Sequence, residues 1–342
     1  SRIILTNETG VAETGFMGRS VGGPATGYAR GRLPCAGKCA MSLKIAAVVG
    51  DDVLDACKDG DLPIMEFEGS IKQLGNRLLS ANAYLGAEPM AQALDAGADI
   101  VITGRASDPA LFLAPMIHAF GWAMDDWNLL GQGTVAGHLL ECAGQITGGY
   151  FADPGIKDVP DLAQCGYPIA EVAADGSAVI TKLPQTGGRV SAATVKEQLL
   201  YEVHDPAAYL TPDVTADFSR VNVKEIETDR VRVTDANGRT RPQQLKVTVG
   251  FDAGFLAEAG VSYAGPAAAT RGRLACDIVR ERLAAVYGIK SSIRVDLIGA
   301  SSLFATAGAS SNDSEDVRLH AALRTTDREQ AELMLWEVES LL

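Results

Sequence analysis

Asn82, Tyr84, Arg105, Ser107 and Asp108 form a polar set placed just after two short apolar runs, Leu78-Leu79-Ser80 and Ile100-Val101-Ile102-Thr103. Each run breaks into small and polar residues and then into a helix opened by proline, at Pro89 and Pro109, as a strand feeding a helix does. Ligands of open parallel sheets sit beyond the carboxyl ends of the strands, so these residues are candidates for substrate binding. Arg105, beside a helix start, suits a carboxylate or phosphate; an internal ion pair is the plainer alternative. Asp108 is a proton-transfer candidate or the cap of the helix that Pro109 opens. His138 and Glu141 share one helix face at i and i+3. They read as an acid–base pair, as two metal ligands, or as a core histidine with its partner. The Thr186-Gly187-Gly188 loop precedes a helix capped by Ser191 and can cradle an anion through backbone N–H groups. It lacks the Lys-Ser/Thr of a P-loop, so nucleotide hydrolysis is unsupported.

The elements that must position these residues follow from periodicity. Leu43 to Val49 reads as a buried parallel strand ending in Asp51-Asp52, two acids that suit a metal, a ribose or a helix cap. A helix from Pro89 to Ala96 stops at Gly97, and Ala98 to Thr103 reads as the best buried strand of the chain. Gly131-Gln132-Gly133-Thr134-Val135-Ala136-Gly137 follows no strand, so tight helix packing explains its small residues better than a dinucleotide fingerprint. From Val221 the pattern alternates, with Asn237-Gly238 read as the turn of an antiparallel hairpin between Val231-Val233 and Leu245-Val249. A long helix from Pro266 to Tyr287 is expected to bury Ala268, Leu274, Ile278, Val279 and Leu283. The fold class expected is α/β, a mainly parallel sheet flanked by helices, with a second α+β portion containing the hairpin. The division expected is residues 1–215 and 216–342. Residues Ser1 to Lys38, rich in glycine, read as aperiodic.

Net charge is −13 over 342 residues, a field that repels a phosphate backbone, so nucleic acid is excluded as a partner. A small anionic substrate needs a local positive pocket, which Arg105 offers. No apolar run reaches the roughly 20 residues of a membrane span, and Ser1-Arg2-Ile3-Ile4-Leu5 is too short for a secretory signal, so a cytoplasmic protein without membrane partner is expected. Six cysteines without secretory context argue against a disulfide framework, and the C-x3-C pair Cys35 and Cys39 lacks a second pair at zinc-site spacing. No metal site is expected.

Several long motifs recur in order with those of a known family: Ser80-Ala81-Asn82-Ala83-Tyr84-Leu85-Gly86-Ala87, Gly104-Arg105-Ala106-Ser107-Asp108-Pro109 and Gly148-Gly149-Tyr150-Phe151-Ala152-Asp153. Gln198-Leu199-Leu200-Tyr201-Glu202, Tyr209-Leu210-Thr211-Pro212-Asp213-Val214, Ser262-Tyr263-Ala264-Gly265-Pro266 and Arg294-Val295-Asp296-Leu297-Ile298-Gly299 continue the series. The chain resembles the acyclic terpene utilisation (AtuA-like) family from Ile45 onward. The family's longer amino-terminal part is matched only by fragments such as Gly27-Tyr28-Ala29-Arg30, and its later glycine-rich segment is not found after Leu342. The resemblance implies a place in the breakdown of acyclic terpenoids through CoA thioesters. Together with the polar set it leads us to expect a hydro-lyase or isomerase acting next to a carboxylate or thioester. Arg105 would hold the anionic group, Asn82, Tyr84 and Ser107 would orient it, and Asp108 or Glu141 with His138 would move the proton. No redox cofactor is supported; CoA would enter as part of the substrate, and a homo-oligomer is expected. The alternative is a non-catalytic subunit that binds an acyl-CoA or scaffolds partner enzymes.

Overall fold

The computed structural model describes residues 25–34, 40–66, 68–289, 293–303 and 314–341. The glycine-rich stretch up to residue 24 and the Cys35/Cys39 pair lie outside them. Strand β1 (Ala25–Pro34) pairs antiparallel with β2 (Ala40–Val49), so the last part of the stretch read as aperiodic is regular strand. Next come α1 (Leu54–Asp59), β3 (Leu78–Ala83), α2 (Glu88–Asp95), β4 (Ile100–Thr103), α3 (Ala110–Phe120) and α4 (Trp127–Glu141). Strands β5 (Pro168–Val172) and β6 (Ala178–Lys182) lead to α5 (Ala192–Leu200). Five short strands follow: β7 (Tyr209–Leu210), β8 (Thr215–Asp217), β9 (Asn222–Glu227), β10 (Arg230–Thr234) and β11 (Asn237–Arg239). Strands β12 (Val247–Phe251) and β13 (Phe255–Ala264), then α6 (Ala268–Tyr287), β14 (Ile293–Ile298), β15 (Asp316–Thr325) and α7 (Arg328–Glu339) complete the order.

The chain divides into two compact units, Ser1–Gly250 and Phe251–Leu342, each with its own apolar core. In the second unit β13, β15 and β14 form an antiparallel sheet that α6 and α7 pack against. Leu274, expected on the buried side of α6, is instead largely exposed, whereas Val279 and Leu283 are fully buried.

The mainly parallel sheet is not what forms. Strand β2 runs parallel to β4, but the ladders β1–β2, β5–β6–β10–β9, β7–β8–β11 and β13–β15–β14 are antiparallel and belong to small separate sheets. The cause lies in the connections: parallel neighbours need a long crossover, and from β5 onward most strands are joined by links too short to cross over. Strand β4 consequently sits at the edge of a three-stranded sheet, and Ile102 is 45% exposed. The hairpin turn expected at Asn237-Gly238 is also absent. Both residues lie in β11, paired with β8, while β10 pairs with β9 and β6. A side chain on Gly238 would collide with the Trp127 carbonyl, so this glycine serves a close approach to the start of α4 rather than a turn.

Helix α4 is the centre of the first unit. Leu130, Val135 and Leu139 are fully buried, and its glycines are contact points. A Cβ on Gly131 would strike the Asn237 carbonyl, and one on Gly133 would press on Leu113 and Trp122. A Cβ on Gly137 would lie 2.6 Å from the Pro109 carbonyl oxygen. The small residues do serve packing, and the last of them lays the first turn of α3 on the last turn of α4.

Glycine inside a helix normally costs about 1 kcal/mol relative to alanine, so Gly137→Ala on propensity alone would stabilise. The contact with Pro109 reverses the sign: the expected result is a loss of about 1–3 kcal/mol, read from a denaturant midpoint. A midpoint at or above wild type would refute the close packing of α3 on α4.

Candidate functional site

The strands β3 and β4 are not neighbours in one sheet, since β3 pairs with β12 and β4 with β2. The chain meets itself just beyond them, where Leu85 and Ala106 form a parallel bridge through Leu85 N–H to the Arg105 carbonyl and Ser107 N–H to the Leu85 carbonyl. Asp51 ties the arrangement together: its Oδ2 accepts from Asn82 Nδ2 at 2.9 Å and from the Arg105 backbone N–H at 2.8 Å. Gly104 has to be glycine here, because any Cβ would run into the Asp51 carboxylate. Asp51 therefore ties two loops together, and Asp52 is the acid that accepts from Leu54 N–H at the start of α1. Asn82 has its amide engaged, and Ser107 is buried under the bridge.

Tyr84 and Arg105 meet directly, with the guanidinium carbon 4.7 Å from the ring centroid. The Lys246 ammonium is 5.1 Å from the same centroid, and the Tyr84 hydroxyl accepts from Thr248 Oγ1 at 3.2 Å. Arg105 also faces Asp108 at 3.8 Å. Asp108 makes no capping bond to α3, whose first turn is held by Ala110 N–H to the Ser107 carbonyl, so its carboxylate stays on the surface beside Arg105.

His138 and Glu141 form a pair, with Nδ1 and Oε1 2.8 Å apart; the imidazole is buried and the carboxylate 11% exposed. Tyr209 and Phe218 enclose the imidazole, with ring centroids at 5.3 and 5.4 Å, and Gln198 Nε2 donates to the His138 carbonyl. Three atoms of this group are buried without a hydrogen-bond partner: His138 Nε2, Glu141 Oε2 and Gln198 Oε1. Burial raises the Glu141 pKa above the ordinary carboxylate value; the bond and charge of His138 oppose the rise, and the charges of Asp108 and Glu202 add to it. Burial, then the charges of Glu141, Asp108 and Glu202, push the Tyr209 phenol well above its usual range. Those charges show that Asp108, Glu141, Glu202 and Tyr209 lie in one electrostatic neighbourhood.

Glu141 opens onto a cleft of about 810 Å³. Its walls are Phe112, Met116 and Phe120 of α3, Leu140, and Tyr167, Ile169, Val172 and Leu183 from the β5–β6 region, with Thr186 at the edge. Thr186 thus borders the cleft, but the amides of the two glycines that follow it are engaged. Gly187 N–H donates to the Gln164 carbonyl and Gly188 N–H to the Pro160 carbonyl. The following amides of Val190 and Ala192 go to the carboxylates of Asp229 and Glu225. Gly187 and Gly188 serve close backbone packing, since a Cβ on either would strike backbone carbonyls of Asp161 or Thr147. Among the described residues no group of three or more His, Cys, Asp or Glu could hold a metal ion. No helix among them is long and apolar enough to cross a membrane.

With this geometry in hand, the family follows from comparison: residues 25–342 match the family described as acyclic terpene utilisation family protein AtuA. The chain belongs to that family. Membership carries a role in acyclic terpene utilisation. No curated protein and no solved structure matches the chain. Two of the AtuA-type motifs carry further residues that spacing and residue type alone do not mark: Gln198 and Glu202 in one, Tyr209 and Asp213 in the other. Lys246 and Thr248 belong to neither and left no mark in the sequence.

Asp213 holds the start of α2, next to the Leu85 bridge. Buried at 3% exposure, its Oδ1 accepts from Ala87 N–H at the start of α2, and Gly86 leaves the space its carboxylate needs. Burial pushes its pKa up to about 6 against an ordinary 3.8, despite those backbone bonds. The folded state then binds more protons than the unfolded state between those values, so stability falls as pH rises from about 4 to about 6 and is level above. The loss amounts to about 3 kcal/mol at most. Asp213→Asn, which keeps the accepting oxygen, is expected to flatten this slope in melting temperatures taken across that window; an unchanged slope assigns it to other groups.

Proposed function

We propose that the protein is an enzyme of acyclic terpenoid catabolism that moves a proton beside the carbonyl of a carboxylate or acyl-CoA substrate, as an isomerase or a hydro-lyase. One observation carries the reading: a buried carboxyl with a raised pKa, Glu141, bonded to a buried histidine and facing an apolar cleft. A methyl-branched hydrocarbon chain matches such walls, and a carboxylate in an apolar setting is a stronger base than one in water.

In this mechanism Glu141 is the catalytic residue and His138 a positioning residue, because the imidazole is enclosed while the carboxylate reaches the cleft. His138 Nδ1 holds the carboxylate through Oε1, and a turn of the carboxyl group that brings Oε2, buried in the unliganded protein, to the cleft lets it take a proton from the carbon next to the substrate carbonyl. The same carboxyl returns the proton to another carbon of the allylic system in an isomerase, or gives it to a departing hydroxyl in a hydro-lyase. Tyr209, kept protonated, supplies an O–H donor in the same neighbourhood. Asp108 contributes charge that holds the Glu141 proton more tightly. Arg105, resting on Tyr84, is the anchor for the anionic end of the substrate, and Ser107 and Asn82 support its loop rather than touch the ligand.

Deuterium wash-in from solvent at the carbon beside the carbonyl tests the step without requiring net turnover. Wild-type exchange is expected to fall by about 10²–10⁴ in Glu141→Gln. The acidic limb of its pH profile should lie above the ordinary carboxylate range, since the base form appears only above the raised pKa, and that limb should vanish in the variant. Binding of an acyl-CoA with no exchange in the wild type would replace this reading with a non-catalytic acyl-CoA-binding subunit.

A further inference from the structure

The Tyr84 ring carries two cations in a chain whose net charge is −13. Among the described residues neither the Arg105 guanidinium nor the Lys246 ammonium donates a hydrogen bond to the protein, and the nearest carboxylate to Arg105 is Asp108 at a loose 3.8 Å. Both charges lie within about 5 Å of one ring centroid, so they are no more than about 10 Å apart. Holding two like charges this close, with their donors turned to solvent, costs free energy that a bound anion would return.

The backbone on which each cation stands is held in place. The Arg105 backbone is fixed by Asp51 and by the Leu85 bridge, and Tyr84 N–H donates to the carbonyl of Lys246, the residue just before β12. The Tyr84 hydroxyl is in turn bonded to Thr248. Both side chains thus leave fixed backbone positions beside the ring, and their donors number more than a single carboxylate can use: Arg supplies a planar fork and Lys a separate point charge.

We infer that Arg105, Lys246 and Tyr84 form a subsite for a diphosphate or phosphate ester, the polar end of a ligand whose apolar end occupies the cleft beside Glu141. The inference rests on the proposed function for what lies at that apolar end, and on the cation pair alone for the anion. A diphosphate brings at least two negative charges on separate phosphoryl groups, one for each cation. Free and esterified diphosphate share this chemistry, and titration separates them.

Calorimetric titration of the full chain with inorganic pyrophosphate, ADP and sulfate is the test. Pyrophosphate, ADP or both should bind at least tenfold more tightly than sulfate, with an affinity that falls as salt rises. A preference for ADP marks an ester as the ligand, and equal or weaker binding of ADP marks the free anion. Lys246→Gln should cost about tenfold or more; Lys246 is exposed, so this variant keeps its fold, as its melting temperature will report. Arg105→Lys should also weaken binding although it keeps the charge, because the fork is lost. Glu141→Gln should bind the phosphate ligand as wild type does, so the proton-transfer step and the subsite can fail independently. The inference is overturned if neither phosphate ligand exceeds sulfate tenfold, or if Lys246→Gln binds as tightly as wild type.

Discussion

Everything in the first unit depends on how closely α4 is approached by its neighbours. Gly137 lets the Pro109 carbonyl rest on the helix, and Asp108 and Glu141 flank that point, one just before the proline and the other one turn further along α4. Their charges interact because the backbones touch. Three glycines at positions 131, 133 and 137 sacrifice about 3 kcal/mol of helix propensity. The buried Leu130, Val135 and Leu139, at about 1.5–3 kcal/mol each, more than offset that loss. The helix is held by what packs on it, and the glycines decide how near the packing comes.

The unsatisfied atoms stand out against this well-filled core. A buried polar atom without a partner costs about 1–3 kcal/mol, and folded proteins keep few of them. Of the seven such atoms among the described residues, three, His138 Nε2, Glu141 Oε2 and Gln198 Oε1, gather around one end of α4, where the cleft opens. A chain selected only to fold would pair or replace them. Their survival in one place is the kind of local inconsistency that goes with a functional site.

The sequence made local features legible and left spatial ones hidden. Gly97 as a helix stop, Ser191 as a cap, the shared face of His138 and Glu141, and the packing purpose of Gly131 to Gly137 all depend on neighbours within a few residues. Asp108 shows where local reasoning misleads. An Asp-Pro pair looks like a cap, but a backbone bond from Ala110 to Ser107 closes the turn and frees the carboxylate for Arg105. The hairpin at Asn237-Gly238 failed for a similar reason, since the glycine answers to the Trp127 carbonyl, far away in sequence. Lys246 over Tyr84 and Asp213 under α2 join residues more than a hundred positions apart, and no periodicity encodes such meetings.

The apolar cleft walls do two things at once. Phe112, Leu140 and Tyr167 offer the surface a hydrocarbon chain would cover, and the same lack of water around Glu141 raises its pKa. On the proposed function, affinity for an apolar substrate and basicity of the carboxyl would both follow one feature, the local polarity, and changing the walls would alter them together. Asp108 supplies the independent control. It lies outside the apolar zone, exposed and facing Arg105, yet its charge reaches Glu141. A polar residue in the wall would weaken both binding and base strength, whereas neutralising Asp108 would lower the Glu141 pKa and leave the hydrocarbon surface untouched.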